Sequence, residues 1–115
     1  MIENKKTILF VDDDLREVTI ENLENEGYFV LPYRNHDEAM QDVRNGLKFD
    51  IAVIDRAGIT NKESGDEIIR YIKENWEKPV VCISAYDARP NEQCMFIRKP
   101  FGGAKGLIKI IRTVL

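Results

Sequence analysis

The sequence lacks the features that mark membrane proteins, secreted proteins and histidine-rich metal sites. Its apolar runs are all far shorter than the roughly 20 residues that a membrane-spanning helix needs, and no apolar segment at the amino terminus resembles a secretory signal. The single histidine, His36, stands in a polar turn without a second histidine to complete a metal site, and no role is assigned to it. We therefore expect a soluble, cytoplasmic protein with no membrane partner.

Cysteine is scarce, and basic residues do not predominate. The two cysteines, Cys82 and Cys94, lack the spacing of metal ligands and stand among apolar residues, so both are interpreted as small core residues. The net charge of -3 argues against a nucleic-acid-binding protein, which needs a clustered basic surface. No acid follows Glu92, and the basic residues of this last part are interpreted as a solvated face.

The sequence does contain a regular alternation of short apolar runs and amphipathic segments, which is typical of βα repeats around a parallel sheet. Strands are predicted within 7–14 and at 28–32, 49–55, 79–84 and 95–98. Helices are predicted at 15–26, between 35 and 46, from 64 to the break at 78–79, and at 103–115. The helix residues predicted to face inward are Leu15, Val18, Leu23, Ala39, Met40, Val43, Ile68, Ile69, Ile72, Trp76, Leu107, Ile110, Ile111 and Val114.

Polar side chains collect where the predicted strands end. In open parallel sheets, ligands bind just outside the carboxyl ends of the strands, so these positions predict a site. The first strand stops at three adjacent acids, whose repulsion a bound divalent cation relieves. The residues at the strand ends are Asp12, Asp13, Asp14, Asp55, Ser84 and Lys99.

As a set, these marks resemble the receiver domains of two-component response regulators, the CheY-like family, over residues 7–115. The resemblance is carried by Asp12-Asp13 after Ile-Leu-Phe-Val, Asp55 closing Phe-Asp-Ile-Ala-Val-Ile-Asp, Ser84-Ala85 after Pro-Val-Val-Cys-Ile, and Lys99-Pro100-Phe101. It implies an α/β flavodoxin-like fold, a doubly wound five-stranded parallel sheet of order 2-1-3-4-5, with the first and last helices on one face. At 115 residues the chain has the length of one domain, so we expect a single receiver domain over 1–115 without an output domain.

The resemblance implies that Asp55 accepts a phosphoryl group from a histidine kinase or a phosphotransfer protein. Asp13 and Asp55 would bind the cofactor Mg2+ directly, Asp12 through a water molecule, and Ala57 through its backbone carbonyl. Lys99 would meet the charge on the transferred group. Such a domain catalyses only its own phosphorylation and dephosphorylation, and it either signals through contacts with a downstream protein or relays the phosphoryl group.

Two further residues would report phosphorylation in this family, namely Ser84, through its hydroxyl, and Phe96, at the aromatic position of the fifth strand. Plain core packing is the alternative for Phe96. The third acid of the opening cluster, Asp14, is predicted to open the first helix, because a carboxylate there favours the exposed amides and the helix dipole.

The sequence departs from the family in two connections. The loop after Asp55 is longer than usual, which affects the position of the Ala57 carbonyl. Fourteen residues separate Ser84 from Lys99, and only about ten of them remain once the strand ends are left out, whereas a parallel crossover usually needs a dozen or more residues between its strands. We predict that the family's fourth helix is missing or reduced to a turn around 88–92. The sheet face bared near Cys82, Phe96 and Ile97 would then be covered by a partner or by a second copy in a homodimer.

Two other functions remain open from the sequence alone. One is a receiver-like interaction module that no longer switches. The other is a haloacid-dehalogenase-like phosphatase, since Asp12-Asp13-Asp14 resembles the start of those enzymes. Arg16 stands where those enzymes have threonine or valine, and no acid follows Lys99 to complete their metal site.

Overall fold

Five of the predicted apolar segments form one parallel sheet in a computed structural model, which describes residues 5–56, 65–84, 95–98 and 105–115. The strand order is 2-1-3-4-5, as predicted. The strands are β1 (Thr7–Val11), β2 (Phe29–Tyr33), β3 (Ile51–Asp55), β4 (Val80–Ser84) and β5 (Met95–Arg98). The helices are α1 (Glu17–Asn25), α2 (His36–Arg44), α3 (Gly65–Asn75) and α4 (Lys105–Val114).

Alternate residues of the central strands belong to two apolar layers, because each of these strands is covered on both faces. In β1, Ile8 and Phe10 pack in the layer formed with α1 and α4, whereas Leu9 and Val11 pack in the layer formed with α2 and α3. The first and last helices of the described residues therefore share one face of the sheet, as the resemblance implied. The fold is an α/β flavodoxin-like fold.

Two residues predicted to face inward are exposed, Val18 by 56% and Trp76 by 38%. The buried residues of α1 are Ile20 and Leu23, and Val18 lies about 200° around the helix from Ile20 at 3.6 residues per turn. Trp76 follows the last residue of α3 at the amino-terminal edge of the sheet, where it lines an open groove with Phe49. The spacing of apolar residues predicts where the helices of the described residues lie. It does not predict which part of each helix packs against the sheet.

The predicted helix ends are mostly confirmed, with one error at α1. The Asn35 side chain accepts a hydrogen bond from the Glu38 backbone nitrogen at 3.0 Å, which caps α2. Gly27 and Gly46 follow α1 and α2 in the left-handed region, with φ of +96° and +94°, and allow the chain to leave each helix. Asp14 does not open α1. That helix begins at Glu17, and the backbone nitrogen of Asp14 instead donates to Asp12.

Cys82 is fully buried in the layer with α2 and α3, as predicted, and it is disulfide-bonded rather than a free thiol. Cys94 and the predicted short connection between β4 and β5, with its reduced helix at 88–92, lie outside the described residues, and those predictions stay predictions. Within the part of the chain that the structure describes, no helix combines the length and the apolar composition needed to cross a bilayer.

Candidate metal centre

Three of the predicted acids meet at the carboxyl edge of the sheet. β1 and β3 are adjacent and parallel, with Val11 level with Ile54. The next residue along each chain is an aspartate, so Asp12 and Asp55 stand at the same level, and Asp13 follows directly. One carboxylate oxygen from each of Asp12, Asp13 and Asp55 lies within 4.8 Å of the other two. Strand register, rather than proximity in sequence, brings Asp55 to the acid pair.

The cluster combines two buried acids with an exposed one. Asp12 is 3% and Asp55 is 4% exposed, whereas Asp13 is open to solvent. Carboxylates this close repel one another, and burial makes their charge more costly unless a cation or hydrogen bonds compensate it. The arrangement therefore favours the binding of a cation among the three side chains.

The donor set suits Mg2+ better than a softer metal. All three candidate ligands are carboxylate oxygens, which hard cations prefer, and the cluster of described residues includes no sulfur or imidazole. Mg2+ commonly binds proteins through one to a few carboxylates and keeps several water molecules. Asp13, the exposed member of the cluster, lies where such waters have access.

Hydrogen bonds hold the loop that carries the acid pair. The Asp12 backbone nitrogen donates to the Tyr33 carbonyl at 2.9 Å, and the Leu15 nitrogen donates to the Asp12 carbonyl at 3.1 Å. The Asp14 nitrogen donates to Oδ1 of Asp12 at 3.0 Å, which orients that carboxylate. Arg34 reaches across from the end of β2, and its Nε donates to the Leu15 carbonyl at 2.9 Å. The loop is thus tied to the neighbouring strand on the same edge.

The backbone around Asp55 is held from several directions. Nε2 of His36 lies 2.8 Å from the Asp55 carbonyl oxygen. The Arg56 nitrogen donates to the Ile83 carbonyl at 3.0 Å, and Nε of Arg56 donates to Oδ1 of Asp66 at 2.7 Å. The backbone that follows the Asp55 side chain is therefore held by contacts with α2, α3 and β4.

The contact of His36 is the part of the site that sequence reasoning missed. His36 was predicted to stand in a polar turn without a role, but it is the first residue of α2 and is fully buried. Its neighbours Asn35 and Asp37 are polar, which suggested an exposed position. The topology offered a signal, because the connection from β2 to α2 lies at the same edge of the sheet as the acids.

Of the other predicted site residues, two lie in described strands and two lie outside the described residues. Ser84 ends β4, the neighbour of β3, so its backbone stands at the same edge of the sheet as Asp55. Phe96 lies in β5, beside β4. Ala57 and Lys99 lie outside the described residues. The roles predicted for these four residues stay predictions.

Solved structures of receiver domains match this chain over nearly its whole length. A CheY-like receiver domain protein from Methanospirillum hungatei JF-1 has a TM-score of 0.74 and 24% identity, and the match covers 96% of this chain and 94% of that one. The response regulator TrrA from Thermotoga maritima has a TM-score of 0.75 and 25% identity, with 96% and 99% covered. Chemotaxis protein CheY4 from Vibrio cholerae has a TM-score of 0.79 and 19% identity, with 97% and 100% covered.

The chain has the fold of a response regulator receiver domain. No protein-family model and no curated protein matches the sequence. The structural matches agree with the resemblance that the sequence motifs carry. The matched TrrA structure is a complex with Mg2+-BeF. In the receiver fold described above, the acid cluster occupies the carboxyl edge of the sheet, where open α/β sheets bind their ligands.

Proposed function

We propose that this chain is a phosphoacceptor receiver domain of two-component signalling. Asp55 accepts a phosphoryl group from a histidine kinase or a phosphotransfer protein in a Mg2+-dependent reaction. The observation that supports this proposal most strongly is the cluster of Asp12, Asp13 and Asp55, with its carboxylate oxygens within 4.8 Å, on a receiver fold. The acid pair Asp12-Asp13 and the single Asp55 are far apart in the sequence, and the register of β1 with β3 brings them together.

In this reaction, a carboxylate oxygen of Asp55 forms a bond to phosphorus. The bond from phosphorus to the donor's histidine nitrogen breaks, and its electron pair returns to the imidazole. Asp13 and Asp55 would hold Mg2+ directly and Asp12 would hold it through a water molecule, and the bound ion would supply positive charge that neutralises the transferred group. Phosphoryl transfer depends mainly on positioning and electrostatics, so a rigid backbone at Asp55 contributes directly to the rate.

The signalling that follows uses contacts with other proteins. A phosphoryl group on Asp55 adds negative charge to the carboxyl edge, and the predicted reporters Ser84 and Phe96 respond to it. The partners are a phosphoryl donor in the cytoplasm and a downstream protein. A second copy of the chain is the candidate for the sheet face that the predicted short connection leaves open. The chain acts only on its own phosphorylation state.

Incubation with acetyl phosphate and Mg2+ tests the proposal. Intact-mass measurement should find one added phosphoryl group on the wild type, and chelation of Mg2+ should prevent the addition. Asp55→Asn should abolish the adduct. Asp14→Asn is the matched control, because Asp14 belongs to the same run of acids but its carboxylate is not in the cluster. An unmodified wild type, or an adduct that survives Asp55→Asn, would contradict the proposal.

A further inference from the structure

The His36 side chain is buried against the residue that carries the proposed chemistry. It is 0% exposed, and its Nε2 lies 2.8 Å from the backbone oxygen of Asp55. A carbonyl oxygen only accepts hydrogen bonds, so Nε2 carries the proton. The contact connects the first turn of α2 with the last residue of β3. It reaches the backbone of Asp55 and not its carboxylate.

The second ring nitrogen makes this histidine a costly choice for core packing alone. The other ring nitrogen, Nδ1, is buried and has no hydrogen-bond partner among the described residues. A buried polar atom without a partner costs free energy, which an apolar side chain of similar size would avoid. The donated bond at Nε2 is the contact of the ring that an apolar side chain could not replace.

Other contacts confine the same peptide unit. Gly65, the first residue of α3, approaches so closely that an added Cβ would lie 2.1 Å from the Asp55 oxygen. The Arg56 nitrogen donates to the Ile83 carbonyl at 3.0 Å, on the side of β4. The peptide between Asp55 and Arg56 is therefore held by a donor from α2, by the close approach of α3 and by a neighbouring strand.

We propose that His36 is a positioning residue for Asp55. Its Nε2 proton fixes the plane of the peptide that follows Asp55, and through the shared Cα it fixes the direction in which the carboxylate leaves β3. This keeps the carboxylate aimed at Asp12 and Asp13. The inference rests on the proposed function, because the alignment matters for metal binding and for attack on phosphorus.

Two substitutions separate positioning from packing. His36→Gln keeps an N–H donor at a similar distance from the backbone, whereas His36→Leu keeps an apolar bulk without a donor. We expect His36→Leu to be about as stable to urea as the wild type, because the removal of the unpaired Nδ1 offsets the loss of the bond to the Asp55 carbonyl. Its phosphorylation by acetyl phosphate should be slower by about tenfold, the factor that corresponds to the loss of one hydrogen bond in the reacting state. His36→Gln should recover most of the rate.

Two further readouts do not depend on phosphorylation. His36→Leu should bind Mg2+ more weakly than the wild type in a calorimetric titration. The carbonyl 13C shift of Asp55 in the metal-free protein should move upfield in His36→Leu, since the carbonyl loses its hydrogen bond, and should stay close to the wild-type value in His36→Gln. Asn35→Ser, which retains a helix cap next to His36, is the control and should leave both readouts unchanged.

The outcomes are distinct for the inference and for the proposed function. If His36→Leu keeps the wild-type rate and Mg2+ affinity, the positioning role is overturned. Equal losses of rate and stability in His36→Leu and His36→Gln would also overturn it. If His36→Leu does not fold, His36→Phe takes its place, and failure of both to fold would show a packing role and overturn the inference. If the wild type itself takes no phosphoryl group, the proposed function fails. The Mg2+ affinity and the 13C shift then decide the role of His36.

Discussion

Replacing Gly65 with alanine tests how closely α3 approaches the strand that carries Asp55. The added Cβ would lie 2.1 Å from the Asp55 oxygen, 2.6 Å from Cα of Arg56 and 2.8 Å from the Asp55 carbonyl carbon. All three are backbone atoms, so no side-chain rotation relieves the overlap. Either α3 moves away from β3, or the peptide between Asp55 and Arg56 rotates.

Two effects on the free energy of unfolding oppose each other in Gly65→Ala. Alanine is favoured over glycine within a helix by about 1 kcal/mol, and overpacking a closely packed position costs about 1–3 kcal/mol or more. Since the overlap is severe and involves rigid atoms, the upper part of the second range applies, and we expect a net loss of about 2 kcal/mol in urea unfolding. Because the moved peptide carries Asp55, the affinity for Mg2+ should also fall, by roughly tenfold as for other groups that support metal ligands.

Gly46→Ala is the matched control for this prediction. Gly46 has a φ of +94° and no heavy atom within 4 Å of an added Cβ, so alanine there meets backbone strain but no overlap. It should lose about 1–2 kcal/mol of stability, the cost of the left-handed conformation, and keep the wild-type affinity for Mg2+. Wild-type stability in Gly65→Ala would refute the close approach of α3. An equal loss of Mg2+ affinity in both variants would show that the site responds to stability in general.

Two further predictions concern the acid cluster and the pH dependence of stability. Asp13→Asn should weaken Mg2+ binding in a calorimetric titration at least about tenfold, because it removes a charged ligand, whereas Asp14→Asn should change it little; equal effects of the two would contradict the assignment of Asp13. Burial and the hydrogen bond to Asp42 raise the pKa of Tyr33 to about 12 from its ordinary 10.0. Because the folded pKa is the higher one, the stabilisation from this group is complete below pH 10.0 and is lost as the pH rises toward about 12. Urea unfolding of Tyr33→Phe should therefore lose less stability than the wild type across that range, and an identical loss would contradict the raised pKa.

The acid cluster could be predicted because its signal is local and abrupt. The apolar runs before Asp12 and Asp55 stop at a carboxylate, and in a parallel sheet strand ends of this kind meet at one edge. The sheet order followed from the family resemblance, and the register of β1 with β3 then placed the acids together. The sequence pattern was sufficient to predict the positions of the acids that directly follow a strand.

The sequence could not predict features that depend on how elements overlap. His36 lies between polar neighbours in the chain, and only the packing of α2 against the end of β3 shows that its ring is buried. Val18 and Trp76 fit an apolar helix face by spacing, but spacing does not say which part of the helix lies over the sheet. Asp14 does not start the helix because it lies in a turn, in which its nitrogen donates to the Asp12 side chain and the Leu15 nitrogen donates to the Asp12 carbonyl.

The position of the phosphoryl group is the most direct test of the central claim. After treatment with acetyl phosphate and Mg2+, borohydride reduces an acyl phosphate to an alcohol, so a phosphorylated aspartate is converted to homoserine. Peptide mass spectrometry should find homoserine at position 55 and not at Asp12 or Asp13. Homoserine at either of those two positions, or none at position 55, would contradict the assignment of Asp55 as the phosphoacceptor.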